Sequence, residues 1–534
     1  MPATSILLAL VLVAPAVPGG GQLTPEEIIA ERIEQIRQGN APLVGSDTIA
    51  SSVLVPAFYE RRQFRPAWTS AATVDDLIRL IEDSENDGLT PADYHLAAIR
   101  RVRQEVRTAA SAEAVANLDL LCSDALVRLV YHFRFGKVDP ARLDPTWNMI
   151  VDLPGGIDPV TAMQQAIDSG RLFEIAGSYR PQHPAYVRLR QALAAYRTIE
   201  RAGGWKPIPA GRPLEPGMID PRVPLVRRRL AITGDLPESA ARDTSTVYDA
   251  ALGAAVKAFQ ERHALAVDGT AGPATLRAMN VPVGERIRTI RVNLERARWV
   301  MHDLPSRFVV VNIAGFMVYW VVDGQSIWES RVVVGKTATR TPTFRATMQY
   351  LVLNPTWTVP PGIMRREILP GMARNPHYLA RHGLRMVNGQ VIQPPGPSNA
   401  LGRMKFMFPN PHNVYLHDTP AKELFDEPTR TFSHGCIRVE KPFELAELVL
   451  DDPVAWNEKA LMDSVATGRT RTVFLARPVP VLVLYWTASV GRDNRLRFFP
   501  DVYHRDAAVA RALDMPFSFS RRIRAHAAAA VKPS

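Results

Sequence analysis

Cysteine is scarce in this chain, because its 534 residues contain only two, Cys122 and Cys436. So low a count argues against a disulfide framework. In an oxidising compartment it also protects a reactive thiol from mispairing. Long Lys/Arg blocks and aromatic–basic repeats are missing too, although 64 Lys and Arg against 53 Asp and Glu leave a net charge of +11. Positive charge spread in this way favours anionic lipid or an acidic cell wall as surroundings, and it makes nucleic acid the weaker partner.

The first 21 residues combine a short apolar run with small residues. Ile6–Val13 is apolar and Ala14-Pro15-Ala16 follows it, which is the order of the hydrophobic region and cleavage region in a secretory signal peptide. A basic n-region is missing, so either the true start lies upstream or the signal is atypical. The run is too short to span a bilayer as a mature helix. The pattern therefore predicts export, with membrane attachment only if residues 1–21 stay uncleaved.

Length and hydrophobic content bound the architecture. With 46% hydrophobic residues, the chain can bury the cores of two to four domains. Helical periodicity dominates up to Trp205, a Pro/Gly-rich linker follows at Lys206–Pro216, and β-branched runs take over after residue 307. We therefore expect a multidomain α+β protein whose segments are a signal peptide (1–21), a helical scaffold (22–205), a small three-helix module (212–282), a connecting helix (283–306), a β-rich domain (307–500) and a C-terminal tail (501–534).

The β-rich domain is predicted to be a mainly antiparallel β-sandwich. Its first strands are aromatic or β-branched runs separated by glycines: Phe308–Ile313, Phe316–Val322, Ile327–Val334 and Met348–Leu353. Two more strands are expected around Val414–His417 and Cys436–Val439. A segment at about 360–395 interrupts the strands. Because so long an insertion in a compact sheet domain is usually functional or disordered, we interpret it as a lid.

Residues 415–442 concentrate the reactive side chains. After Cys436, alternating apolar and charged residues predict a half-buried strand with Cys436 and Arg438 on one face. A thiol needs a base or a positive field to act as a nucleophile. His417 is the candidate base, because a separation of 19 residues suits two neighbouring strands. Gly435 would let backbone N–H groups approach a developing oxyanion.

The cysteines have two other interpretations. A lone cysteine is most often a small buried hydrophobe, and Cys122, in an apolar helical run, fits that description. The second interpretation is a zinc site made by His417, His434 and Cys436, with His412 or Asp418 as a fourth ligand. Structural zinc normally uses Cys/His pairs two to four residues apart, and only His434 and Cys436 are that close. We therefore expect no metal and no other cofactor.

The pattern of His417 followed by Ser433-His434-Gly435-Cys436-Ile437-Arg438 resembles the signature of the L,D-transpeptidase catalytic domain, a cysteine acyltransferase family of bacterial cell walls. The resemblance implies that Cys436, His417 and Gly435 are catalytic. It also implies four substrate-binding or site-shaping residues, which are Arg438, Ser433, His434 and Tyr415. Many members have Asn at the position of Arg438. Arginine at this position resembles the large multidomain periplasmic branch of the family. That branch often has Ser at the position of His434.

Three other segments resemble parts of that branch. VKAFQERHALAVDGTAGPATLRAMN, at 256–280, is similar to a three-helix peptidoglycan-binding module, which implies that residues 212–282 contact wall glycan. FGKVDP at 135–140 resembles the helical scaffold, and the lid resembles a capping loop. The resemblance also implies a periplasmic location.

We weigh three functions. The resemblance implies an L,D-transpeptidase that forms or edits 3-3 cross-links in peptidoglycan: Cys436 attacks the third residue of a tetrapeptide stem, D-alanine leaves, and an amine of a second stem resolves the thioester. A cysteine peptidase or amidase would use water in place of the amine. A non-catalytic wall-binding protein is the third, although the intact pair of Cys436 and His417 argues against it.

Overall fold

The computed structural model of the protein describes residues 23–152, 158–517 and 519. The predicted signal peptide and the basic end of the tail, Arg521–Ser534, lie outside the described residues. None of the helices in the described ranges combines the length and the apolar character that crossing a bilayer requires.

A bundle of helices and one short hairpin form the N-terminal region. The hairpin is β1 (Leu43–Val44) with β2 (Asp47–Thr48), and the helices are α1 (Pro25–Arg37), α2 (Leu54–Arg61), α3 (Ala71–Asp83), α4 (Leu96–Thr108), α5 (Ala112–Phe135), α6 (Pro140–Leu143), α7 (Pro159–Asp168), α8 (Leu172–Gly177) and α9 (Pro184–Arg201). Most residues of α5 are buried, so it is the central helix of this core. Cys122 lies in α5 with no exposed surface, and burial raises the pKa of its thiol well above the usual value. It is a buried hydrophobe, as predicted.

A second, smaller core follows the linker. It is built on α10 (Val223–Ile232), α11 (Ala250–Arg262) and α12 (Pro273–Met279), which pack around Phe259. His263, just after α11, stacks between Phe259 at 3.8 Å and Phe498 of the β-rich domain at 5.6 Å, measured between ring centroids. This module therefore contacts the β-rich domain directly as well as through the connecting helix.

The connecting helix is α13 (Val283–Val300), and it carries charged residues into the protein interior. Glu295 and Arg298 form an ion pair whose two side chains have no exposed surface. Glu295 also accepts a hydrogen bond from the backbone N–H of Val138 at 2.6 Å, and Arg298 donates to the backbone carbonyl of Asp87 at 2.7 Å. The helix is thereby attached to the N-terminal bundle by buried polar contacts.

One large sheet forms the β-rich domain. The remaining strands are β3 (Arg307–Asn312), β4 (Met317–Val322), β5 (Gln325–Gly335), β6 (Phe344–Leu353), β7 (Trp357–Thr358), β8 (Arg385–Val387), β9 (Gln390–Gln393), β10 (Met404–Met407), β11 (Leu416–His417), β12 (Thr431–Ser433), β13 (Ile437–Val439), β14 (Arg471–Leu484), β15 (Ala488–Val490) and β16 (Leu496–Phe498). Nine of them pair in the order β12-β5-β13-β11-β10-β6-β14-β3-β4.

Most pairs in this sheet are antiparallel, as predicted, but the strands form one closed sheet rather than the predicted sandwich. β4 pairs with β5 as well as with β3, so the sheet closes on itself. Three pairs are parallel: β11 with β13, β12 with β5, and β14 with β3. The physical reason is the length of β5, whose first part pairs with β4 while its last residues pair with β13 and β12. Periodicity in a sequence predicts strands, but it does not determine such partner changes.

The remaining helices are α14 (Pro361–Ile363), α15 (Leu369–Arg374), α16 (Tyr378–Arg381), α17 (Pro442–Leu450), α18 (Glu458–Ala466) and α19 (Asp506–Asp514). The insertion at 360–395 holds α14 to α16 together with β8 and β9, which form a three-stranded sheet with the preceding β7, and this region has its own small core. The sequence assigned residues 501–514 to a tail, and that assignment is wrong. Tyr503 has no exposed surface, and α19 packs its Leu513 against α13. A short amphipathic segment without a partner in sequence does not reveal such long-range packing.

We expect Arg298→Met to lower the free energy of unfolding by about 3–5 kcal/mol, because it leaves the Glu295 carboxylate buried and unpaired. Urea unfolding of the full chain, followed by tryptophan fluorescence, measures the change. The double variant Glu295→Leu/Arg298→Met should recover part of the loss, because an apolar pair leaves no buried charge. Lys459→Met, which breaks the exposed ion pair with Asp463, is the control and should leave the midpoint unchanged. Equal shifts in Arg298→Met and Lys459→Met would contradict the prediction.

Candidate active site

Three polar side chains form a row across the centre of the large sheet. Lys405 of β10 pairs with His417 of β11, and His417 pairs with Arg438 of β13. Side chains of paired residues in neighbouring strands lie on the same face. On the opposite face, the neighbouring register pairs place buried apolar residues, namely Phe406, Leu416 and Ile437. Burying that apolar row in the core therefore keeps the polar row on the outer face.

His417 is buried and its ring is oriented by the backbone. Its Nδ1 lies 2.5 Å from the carbonyl oxygen of Asp418. A carbonyl only accepts, so Nδ1 carries the proton and donates it, and Nε2 is left with a free lone pair. Burial, assisted by the nearby Arg438 charge, lowers the pKa of His417 to about 3. The imidazole is therefore neutral at physiological pH and is able to accept a proton.

Cys436 follows a tight turn and enters β13, so its thiol lies on the side of the polar row. The thiol donates to the Asn413 carbonyl at 3.7 Å, and Tyr415, which lowers the pKa of this thiol, has its ring 5.7 Å from the His417 ring between centroids. Burial raises the pKa of Cys436, whereas Tyr415, Lys405 and Arg438 act in the opposite direction. The structure thus places Cys436, His417, Tyr415 and Arg438 on one face of the sheet.

The turn before the thiol depends on Gly435 and Ser433. Gly435 has φ +121°, a conformation that L side chains rarely adopt. Its N–H donates to the Ser433 hydroxyl at 3.1 Å, and that hydroxyl donates to the Cys436 carbonyl at 2.5 Å. Because the Gly435 N–H is occupied, it cannot hold an oxyanion. The Cys436 N–H is a donor without an acceptor in the part of the chain that the structure describes.

Two cations flank the site without a carboxylate partner among the described residues. The Arg438 Nε is buried and has no hydrogen-bond acceptor among the described residues. Lys405 extends its ammonium to 5.4 Å from the centre of the Tyr415 ring. Lys405 was not among the site residues predicted from the sequence. A charged residue in the alternating strand Met404–Met407 was the signal that could have revealed it.

His434 makes a different contact from the other predicted residues. Its Nε2 lies 2.5 Å from a carboxylate oxygen of Glu367, which belongs to the insertion. The zinc interpretation needs His434, His417 and Cys436 to converge, whereas the two imidazoles bond to separate partners. Within the described residues, no group of three or more His, Cys, Asp or Glu side chains is arranged to hold a metal ion.

Comparison with protein families assigns three segments of the chain. Residues 306–481 match the model of the L,D-transpeptidase catalytic domain, and they contain the whole polar row. This segment therefore resembles an L,D-transpeptidase catalytic domain. Residues 220–279 match a peptidoglycan binding domain, a description that the family carries provisionally, and residues 53–193 match a Scaffold domain. A helical N-terminal region, a peptidoglycan binding domain and a β-rich catalytic domain confirm the predicted multidomain α+β class.

A Haemophilus influenzae protein, provisionally named an L,D-transpeptidase, is 31% identical to the chain over 240 residues. The match covers 41% of this chain and 48% of that protein, so it spans about half of the relative's length. Two solved L,D-transpeptidase structures, from Xylanimonas cellulosilytica and Stackebrandtia nassauensis, are 17% and 14% identical. They cover 52% of this chain and 99% and 96% of their own, with TM-scores of 0.19 and 0.21. Both scores are below 0.5, so no conclusion about this chain is drawn from these two structures.

The pH dependence of Cys436 alkylation by iodoacetamide should reveal the raised pKa of Cys436 and the lowered pKa of His417. The thiolate is the reactive form, so the rate should rise with pH through a pKa above the usual thiol range. No inflection is expected near pH 6.5, because His417 is already neutral there. The rate is measured in Cys122→Ala, which leaves one thiol, and Cys122→Ala/Cys436→Ala gives the background. A plateau already reached below pH 7 would instead indicate a thiolate–imidazolium pair.

Proposed function

We propose that this protein is an L,D-transpeptidase that forms or edits 3-3 cross-links in peptidoglycan. The observation that supports the proposal is that Cys436 and the neutral, backbone-oriented His417 lie on the same face of the sheet with Tyr415 as a common neighbour, in a segment that matches the L,D-transpeptidase catalytic domain. A nucleophile paired with a base that a third group orients is the arrangement of covalent acyl transfer.

In the proposed reaction, His417 Nε2 accepts the thiol proton as Cys436 attacks the carbonyl of the third residue of a tetrapeptide stem. The Cys436 N–H donates to the oxyanion of the tetrahedral intermediate. Collapse of the intermediate breaks the peptide bond, and the imidazolium protonates the leaving amine of D-alanine. An amine from a second stem then attacks the thioester while His417 takes its proton, since one base can serve both halves. The thiol is regenerated and a new peptide bond remains.

The two unpaired cations give the site a preference for anionic substrates. Arg438 and Lys405 lie on either side of His417 in the polar row. We assign Arg438 to a carboxylate of the donor stem, because the buried Nε of its half-buried side chain lacks an acceptor. Lys405 stabilises the thiolate electrostatically, and its charge accordingly lowers the pKa of Cys436. Ser433 shapes the site by its hydrogen bonds to the turn, and Tyr415 shapes it beside the thiol, whose pKa it lowers.

The insertion at 360–395 acts as a lid in this proposal. Its Glu367 contacts His434, two residues before the thiol, so the insertion is attached beside the site. By excluding water, a lid favours the amine over hydrolysis. Peptidase or amidase activity is the outcome if exclusion is incomplete. Residues 212–282 anchor the protein to wall glycan, and the signal peptide directs it to the periplasm.

Incubation of the protein with purified tetrapeptide wall fragments, followed by mass spectrometry, tests the proposal. Cross-linked dimers with loss of D-alanine are expected. Shortened monomers alone would assign a hydrolase, and unchanged fragments would favour a wall-binding protein.

We expect Cys436→Ala to abolish dimer formation while the unfolding midpoint stays close to that of the wild type, because the thiol lies at the surface of the sheet. Cys122→Ala is the matched control and should retain activity, since that thiol lies in a separate core. Dimer yield from the same fragments is the measurement. An active Cys436→Ala would refute the site assignment.

Arg438→Gln should reduce kcat/KM for the tetrapeptide donor about 10- to 100-fold. The change removes a charge-assisted hydrogen bond, which contributes about 1.5–3 kcal/mol. Donor consumption at low substrate concentration gives this ratio. Arg345→Gln, at an exposed arginine of β6, serves as the control and should leave it unchanged. The wild type is also assayed with a donor whose carboxylates are amidated. If Arg438 binds a carboxylate, the wild type should consume this amidated donor as slowly as Arg438→Gln does. Equal wild-type rates on the amidated and unmodified donors would contradict the assignment.

A further inference from the structure

A loop behind the active-site turn holds the peptide bond that precedes the thiol. The loop runs from Gly335 to Thr341. The Thr341 hydroxyl lies 2.8 Å from the Gly435 carbonyl oxygen and accepts the N–H of Gly335 at 2.9 Å. An N–H only donates, so the single proton of this hydroxyl is committed to the Gly435 carbonyl. Thr341 therefore determines the direction of that carbonyl.

Tyr503 holds Thr341 in place from the other side. The backbone N–H of Thr341 donates to the Tyr503 hydroxyl at 3.1 Å, and this hydroxyl donates to the Gly335 carbonyl at 2.6 Å. Thr341 and Tyr503 both have no exposed surface. Each donor and acceptor in this group has a partner, so alternative orientations would leave a buried polar group unpaired. Neither residue reaches the thiol or the polar row through a hydrogen bond.

The planarity of the peptide bond transmits this constraint to the active site. The carbonyl of Gly435 and the N–H of Cys436 belong to one trans peptide, so they point in opposite directions. With the carbonyl bound to Thr341, the Cys436 N–H is turned away from the supporting loop. It is also the donor that lacks an acceptor in the described chain, since the Gly435 N–H is bound to Ser433.

We infer that Thr341 and Tyr503 are positioning residues that orient the Gly435–Cys436 peptide, so that the Cys436 N–H is preorganised as the oxyanion donor. The inference rests on the proposed acyl-transfer chemistry of Cys436, but it does not depend on the natural substrate. Losing one oxyanion donor costs about 10²- to 10³-fold in kcat. Loss of its orientation should cost a part of this, about 10- to 100-fold.

The test uses p-nitrophenyl acetate, an ester that acylates Cys436 through the same kind of oxyanion intermediate. The thiol transfers its proton to His417, the S–C bond forms, the carbonyl electrons move to oxygen, and collapse expels p-nitrophenolate. The burst rate of p-nitrophenolate is compared with the rate of iodoacetamide alkylation, a displacement that forms no oxyanion. Cys122→Ala is the parent for all variants, and added Cys436→Ala gives the background.

We expect Thr341→Val to lower the acylation rate about 10- to 100-fold at saturating ester while the alkylation rate and the KM change less than twofold. Thr341→Ser keeps the hydroxyl and should restore most of the acylation rate. Tyr503→Phe should lower acylation in the same selective way. Thr343→Val is the matched control: its buried hydroxyl donates to Asp144 at 2.7 Å and makes no contact with the turn, so acylation should be unchanged.

The inference is overturned if Thr341→Val acylates at the parental rate, if alkylation falls by the same factor, or if Thr343→Val is equally impaired. A parent that is alkylated but not acylated by the ester would also overturn it, since no competent oxyanion donor would then exist. By contrast, a parent that reacts with the ester but leaves wall fragments unchanged would contradict the proposed function alone.

Discussion

A buried ion pair in the connecting helix holds the domains of this protein in one arrangement. Glu295 and Arg298 have no exposed surface, and their remaining hydrogen-bonding groups are satisfied by the N-terminal bundle, including the Asp87 carbonyl. A little earlier in the same helix, Asn293 exchanges hydrogen bonds with Thr487 of the β-rich domain. A buried charge is costly without its partners, so the bundle cannot separate from this helix without leaving the pair exposed or incompletely hydrogen-bonded.

In the candidate active site, burial and nearby positive charges shift the pKa of Cys436 in opposite directions. Burial raises the pKa of Cys436 and lowers that of His417, which keeps both groups neutral at physiological pH. Lys405 and Arg438 oppose the first shift and stabilise the thiolate once it forms. In the proposed reaction, a neutral pair of this kind transfers its proton during attack rather than before it, and the neutral thiol is less prone to oxidation than a thiolate. The same cations suit a substrate that carries carboxylates.

Local patterns in the sequence determined the secondary structure and most of the site. The 3.6-residue period identified helices that the structure contains, and the alternation after Cys436 identified β13 and its buried face. The spacing from His417 to Cys436 indicated two neighbouring strands. These features depend on residues close to one another in the chain, whose side-chain directions follow from backbone geometry alone. The class of catalytic domain was recognisable for the same reason, since its motif is contiguous.

Tertiary structure alone decided which strands pair and which side chains meet. The sequence did not indicate that the sheet closes through β4 and β5, that Lys405 joins the row of His417 and Arg438, or that the Gly435 N–H is already occupied. It also assigned Tyr503 to a tail, although that residue supports the turn before the thiol. Each of these facts depends on the pairing or packing of segments separated by many residues, and a one-residue change of register would place the same side chains on the opposite face.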